Sequence, residues 1–295
     1  MPDFWTHILA GEHIVEKSEY TEYKNIVKGE EKYFNFGCQG SDLFFYNFST
    51  PWRGPALGKK MHYEKLDTAF WQSINYGKLK NNSPEIMAFL TGYLTHYLVD
   101  RYLHAFILAR VNNFTMHKCL ENEIDSFLLE HFRDIKARNI NPFYIIKFDK
   151  ELPAAITEFF RIHLQEVYEE KQVITTLEHS YRDFKYLQYA LFSPGPVKRA
   201  ILRAANTVIP YNVDSLLYEA GNELLWPEEK NRFLRYYEET VNFAGEIMAY
   251  IFAYWLDELD KSSLVDKISV LDFSGPDRQE IISTLPDTQR QRLIS

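Results

Sequence analysis

The chain has 295 residues, 46% of them apolar and 16% aromatic, with a formal net charge of −8. That length and apolar content allow one large helical domain or two small ones and exclude general disorder. The negative charge offers no footprint for nucleic acid, and two cysteines, Cys38 and Cys119, at no zinc-finger or redox spacing exclude a disulfide scaffold and fit a reducing compartment.

Glycine and proline number 12 each, and the long runs lack period-2 alternation, so the expected fold class is all-α. The opening Met-Pro-Asp-Phe-Trp-Thr-His lacks the basic and apolar regions of a signal peptide. Even the apolar run Ala88–Val111 is interrupted by His96, Asp100, Arg101, His104 and Arg110, so no membrane span is expected. The expected location is cytoplasmic.

In chain order, Asp3 can cap a first helix of about 4–18, with His7 facing the core alongside Gly11 and Ile14, and His13 off that stripe in solvent. Residues 19–35 read as a short helix plus loop. The glycines at 37 and 40, then Pro51, Gly54, Pro55 and Gly58, predict a loop up to His62, with Asp42 and His62 flanking an aromatic stretch. A helix is predicted over 64–78. Ser83, Pro84 and Glu85 then supply a cap, an N1 proline and an acidic first turn for a helix over about 84–111. That helix is apolar on every side, which marks a central one. Further helices are predicted at about 115–138, 151–170, 175–192, 196–206 and 227–259, with residues 260–295 as a polar arm. No internal repeat or clear linker appears. The expected organisation is a metal-binding catalytic domain over 1–206 and a helical extension over 207–295 packed on it.

The chemistry concentrates in the spacing His96, Asp100, His104, followed by His117 and Glu121. Residues four apart on a helix lie about 40° apart around the axis and roughly 6 Å along it, so the first three form one stripe with the carboxylate in the middle. His117 and Glu121 repeat the step on the next helix. A lone histidine on an apolar face is ordinarily a satisfied core residue. A buried carboxylate, however, is costly without a cation or several donors, and Arg101 points about 100° away from the stripe. With His7, Asp42 and His62 upstream, three further candidates join the set. Imidazole and carboxylate without thiolate suit zinc first, with iron and manganese as alternatives. No Glu-x-x-His motif occurs, which excludes the di-iron bundle pattern, and no adjacent His-Asp pair occurs.

The motifs Pro-Asp-x-x-Thr-His, Gly-x-Asp, Met-His, His-x-x-x-Asp-x-x-x-His and His-x-x-x-Glu, in this order across about residues 2–125, resemble the zinc-dependent phospholipase C family. The resemblance implies an all-α, multi-helix bundle around a buried multi-metal site with up to three zinc ions. It implies that Asp42, His62, His96 and Asp100 hold one ion, that Asp100 bridges to a second held also by His7, and that His104, His117 and Glu121 hold the third. It implies hydrolysis of a phosphodiester, a phospholipid at a membrane surface being the expected substrate, by a metal-bound hydroxide with Asp42 as ligand and proton acceptor. The family's choline-gripping residues have no counterpart here: Leu43 follows Asp42, and Lys59 lies three residues before His62. A phosphoesterase acting on nucleotides or other soluble phosphates, and a non-catalytic helical metal-binding protein, are the alternative readings. Phe44, Phe45, Phe48 and Trp52, followed by Arg53, Lys59 and Lys60, read either as an apolar lip for a lipid surface or as core closure. Phe89 and Tyr93, on the ligand stripe, read as core.

Overall fold

Two glycines allow one helix to lie almost against the backbone of another, and the metal-ligand candidates hang from that junction. The computed structural model describes residues 4–111, 113–149, 151–204, 213–218 and 227–269. Among them, α1 (Phe4–Lys17), α2 (Thr21–Gly29) and α3 (Glu31–Gly37) are followed by a 3-10 turn at Asp42–Tyr46. Then come α4 (Gly54–Tyr63), α5 (Leu66–Leu79), the long α6 (Pro84–Leu108) and α7 (Phe114–Arg133). The chain continues through α8 (Pro142–Ile146), α9 (Ala154–Glu166), α10 (Val173–Leu191), α11 (Pro196–Ala204), α12 (Pro227–Trp255) and α13 (Lys261–Ser269). No strand occurs among the described residues, so the fold is all-α.

Helix α6 is the axis of the bundle, with α1, α2, α3, α5, α7, α9 and α12 packed around it. Its apolar residues point in every direction, and Phe89, Leu90, Leu94, Leu98 and Leu103 are wholly buried. A residue's Cβ at Gly92 would overlap the Phe34 carbonyl, and one at Gly37 would overlap the Phe89 carbonyl. Glycine at both positions therefore lets α3 and α6 approach to backbone contact. Around them Phe89, Phe159, Phe160 and Tyr93 form an edge-to-face aromatic core, with Phe36 stacked on Phe89. Phe89 and Tyr93 are thus core residues, and the Tyr93 hydroxyl bonds His163 Nε2 at 3.2 Å. Helix α12 closes the far side, where Phe252 stacks on Tyr23 with ring centroids 4.1 Å apart.

Several boundaries differ from expectation, each for a local reason. Residues 19–35 hold two helices separated at Glu30, whose φ of −117° leaves the helical range. The expected loop up to His62 instead contains the 3-10 turn and α4, because Gly54-Pro55 opens a helix with a proline in its first turn rather than forming a turn. His62 consequently sits in a helix's last turn. Helix α7 stops at Arg133, where Asp134 adopts a left-handed φ of 54°. Ser83 precedes α6 as expected, but its hydroxyl donates to Glu85 at 3.1 Å instead of capping the backbone. His13, expected in solvent, is half-buried; its Nδ1 lies 2.9 Å from the Tyr237 hydroxyl and its ring meets Phe132 edge-on. The polar arm begins as α13, while 270–295, the Asp3 cap and residues 205–206 of the expected 196–206 helix lie outside the described residues. No helix among the described residues is long and apolar enough to cross a membrane.

Candidate metal centre

Four separate elements deliver side chains to the C-terminal half of α6. α1 contributes His7, the 3-10 turn Asp42, α4 His62, and α6 itself His96, Asp100 and His104. His7 and His96 are almost completely buried, their rings 4.1 Å apart. Among the described residues, His7, Asp42 and His96 form the one group whose potential ligand atoms all lie within 4.8 Å of one another. His62 stands beside them, with Nε2 3.0 Å from Asp42 Oδ1 and 4.0 Å from Asp100 Oδ2.

The backbone sets which nitrogen each imidazole presents. His96 Nδ1 donates to the Cys38 carbonyl at 3.0 Å, so its Nε2 carries the lone pair. His62 Nδ1 donates to the Gly58 carbonyl at 2.6 Å, turning Nε2 toward the two carboxylates, with Ser41 Oγ 3.1 Å away. Orientation of a ligating imidazole by a bond from its other nitrogen is the usual support around a metal. Gly40 permits the fit: its φ is +50°, and a Cβ there would strike the His96 ring.

The second cluster lies further along α6 and on α7. His104 and His117 meet edge-on with centroids 5.2 Å apart, and His117 Nε2 lies 2.7 Å from Glu121 Oε1. Lys118 Nζ is 2.8 Å from the other oxygen of Glu121.

Electrostatics follow from this placement. Burial, reinforced by the neighbouring His7, holds His96 well below the ordinary imidazole range and therefore neutral. Burial likewise takes His104 down to about 2, with His117 adding to the effect. Burial would raise Asp42, but the hydrogen bond from His62 and the nearby imidazoles outweigh it and hold the carboxyl below its usual range. For His62 the burial effect is in turn overcome by Asp42, and its pKa rises. Asp100 goes the other way: burial, with Asp42 alongside, pushes it up to about 6 despite His62. Glu121 is held well below its usual range because Lys118 and His117 overcome its burial.

The donor set suits zinc: imidazoles, of which His96 and His104 are neutral, carboxylates, and no thiolate. Asp100 Oδ1 and His104 Nε2 are buried without a hydrogen-bond partner, the condition a cation relieves. Above them opens a cleft of about 190 Å³ lined by His62, Tyr63, Leu66, Tyr97, Arg101 and Leu108, among others.

The eight candidate residues thus fall into two groups, one of His7, Asp42, His62, His96 and Asp100 and one of His104, His117 and Glu121. The aromatic stretch divides: Phe44 is wholly buried against Phe160, Phe45 packs on the His62 ring at 5.0 Å, and Phe48 and Trp52 are exposed.

Sequence reasoning missed the groups that aim the ligands. The Cys38 and Gly58 carbonyls leave no side-chain signal. Asp125 does: it extends the His117, Glu121 step by four more residues. Its carboxylate accepts from the amides of Trp5 and Thr6, at 2.9 and 2.8 Å, beneath His7.

A helical bundle with imidazoles and carboxylates gathered under an open cleft defines an all-α protein with a candidate metal centre. Residues 6–172 match the family described as zinc dependent phospholipase C. The match spans more than half the chain, and the protein belongs to that family. No curated protein and no solved structure matches it.

Proposed function

We propose that the protein is a zinc-dependent hydrolase of phosphodiesters, of phospholipase C type, acting on phospholipid at a membrane surface from the cytoplasm. The observation that carries this reading is the convergence of His7, Asp42, His62, His96 and Asp100 from four elements beneath the cleft. His7, Asp42, His62, His96 and Asp100 would hold up to two ions, with Asp100 shared, and His104, His117 and Glu121 a third. Zinc, when bound, supplies a Lewis acid and a water nucleophilic at neutral pH.

The chain's own residues do the rest. Tyr63, Leu66, Tyr97 and Leu108 wall the cleft with apolar surface, and Arg101 on the same wall offers a cation to the phosphate. Asp42, ionised at neutral pH, is placed to accept a proton from water attacking phosphorus as the ester oxygen departs. Exposed Phe48, Trp52 and Tyr63, with the exposed lysines 59 and 60, support contact with a lipid surface. The free cysteines Cys38 and Cys119 support a reducing compartment.

A second reading, hydrolysis of soluble phosphates, draws on one observation: Leu43, at the position following Asp42, is wholly buried and leaves no choline-gripping group there. One experiment separates the readings. Zinc-loaded protein is assayed on phospholipid vesicles, on a soluble chromogenic phosphodiester and on single-stranded nucleic acid. Release of diacylglycerol and a phosphorylated head group, faster than turnover of the soluble ester, is expected. Turnover of the soluble ester alone would favour the second reading, and no turnover of any would refute both.

A further inference from the structure

The carboxylate of Asp125 is fully buried, yet it is not among the metal-ligand candidates. It accepts bonds from Trp5 N at 2.9 Å and Tyr218 Oη at 3.1 Å on one oxygen, and from Thr6 N at 2.8 Å and Thr6 Oγ1 at 2.6 Å on the other. The two amides belong to the first turn of α1, where a helix leaves its donors without intrahelical partners. A side chain two or three residues earlier ordinarily satisfies them. Here the acceptor comes from 120 residues away, on the helix that carries His117 and Glu121.

This arrangement fixes rotation as well as stability. His7 is the next residue after Thr6, so the azimuth of the first turn sets the direction of its imidazole. With side-chain atoms roughly 5–6 Å from the axis, a 10° rotation of α1 displaces the ring by about 1 Å. Metal–ligand distances tolerate only about 0.2 Å. Tyr218, beyond the residues matched to the family, bonds the same carboxylate, and Asn122 holds the adjoining turn through the Ser215 carbonyl at 2.6 Å.

We propose that Asp125 is a positioning residue of the metal centre: acting through the first turn of α1, it holds His7 against Asp42 and His96, with Tyr218 bracing it from outside the matched region. The proposal rests on the reading that His7 binds zinc.

The test compares Asp125→Asn and Tyr218→Phe in the parent and in a His7→Ala background. Zinc per chain is measured at fixed free zinc, visible absorption after cobalt substitution reports ligand geometry, and thermal midpoints serve as the stability control. Loss of a supporting contact around a metal ligand ordinarily weakens metal affinity about 10- to 100-fold. Asp125→Asn is expected to weaken the His7-dependent zinc by at least about tenfold and shift the cobalt bands, while changing neither in the His7→Ala background. Tyr218→Phe should move both readouts the same way by a smaller factor, and carries the test if Asp125→Asn fails to fold. Equal losses with and without His7, or no loss in either variant, would overturn the role of Asp125. Undiminished zinc in His7→Ala alone would instead refute the metal assignment of His7.

Discussion

Substituting Gly40 by alanine tests whether the metal centre depends on backbone clearance. Gly40 has φ +50°, where a Cβ costs about 1–2 kcal/mol. Its added methyl would also fall on the His96 ring, with Nε2 2.5 Å away against an ordinary contact of 3.4 Å or more. Relief requires the imidazole to retreat by roughly 1 Å, which stretches its bond to the Cys38 carbonyl beyond hydrogen-bonding range. The expected loss is about 2–4 kcal/mol in stability and about 100-fold in activity, since misplacement on that scale is worth about that factor. Urea unfolding, zinc per chain and initial rates on the substrate identified in the assay above are the measurements. Gly195→Ala, where a Cβ meets nothing within 4 Å, is the control expected to lower none of the three. A Gly40→Ala protein retaining the parent's zinc affinity and rate would refute the reasoning, because His96 would then not need its observed position.

Asp100→Asn should abolish activity and remove more than one zinc per chain by elemental analysis, because Asp100, 4.0 Å from His62, is the carboxylate proposed to be shared by two ions; loss of a single ion would contradict sharing, and His13→Ala should lose none. His163 is buried and held down to about 3, its Nδ1 donating to Gln72 at 2.6 Å and its Nε2 accepting from Tyr93. Its folded pKa lies below the unfolded value, so its contribution is complete above about pH 6.5 and is lost as pH falls from there toward 3. By pH 5 the loss is about 2 kcal/mol, so the stability gap between parent and His163→Gln, from urea midpoints, should narrow by about that much relative to pH 7. An unchanged gap would mean that His163 does not stay neutral. Gly245, within α12, has open space where a Cβ would stand, so Gly245→Ala should raise stability by about 0.5–1 kcal/mol in thermal unfolding.

The features legible in the sequence were those that repeat along a single helix. The four-residue step through His96, Asp100 and His104 needs only α6 to be helical, and Ser83-Pro84-Glu85 marked where that helix begins. The same step carried His117 and Glu121 into the second cluster. Short elements were less legible, because glycine and proline open helices as readily as they break them. Gly54-Pro55 reads as a turn in isolation, yet it starts α4 and thereby places His62 in a helix's last turn.

What stayed hidden was whatever depends on a partner far along the chain. His13 reads as solvated from its own helix face, and only α12, arriving with Tyr237, makes it half-buried. The tautomers of His62 and His96 are set by the Gly58 and Cys38 carbonyls, groups every residue carries, so no residue type announces them. Gly37 and Gly92 look like helix weaknesses until their meeting brings the Cys38 carbonyl to His96. The identities of the ligand candidates are therefore a property of periodic sequence, whereas their aim is a property of how closely backbones can approach. It follows that glycine and carbonyl geometry, more than further histidines or acids, decides whether such a ligand pattern becomes a working centre, and the alanine at position 40 is the most direct way to separate the two.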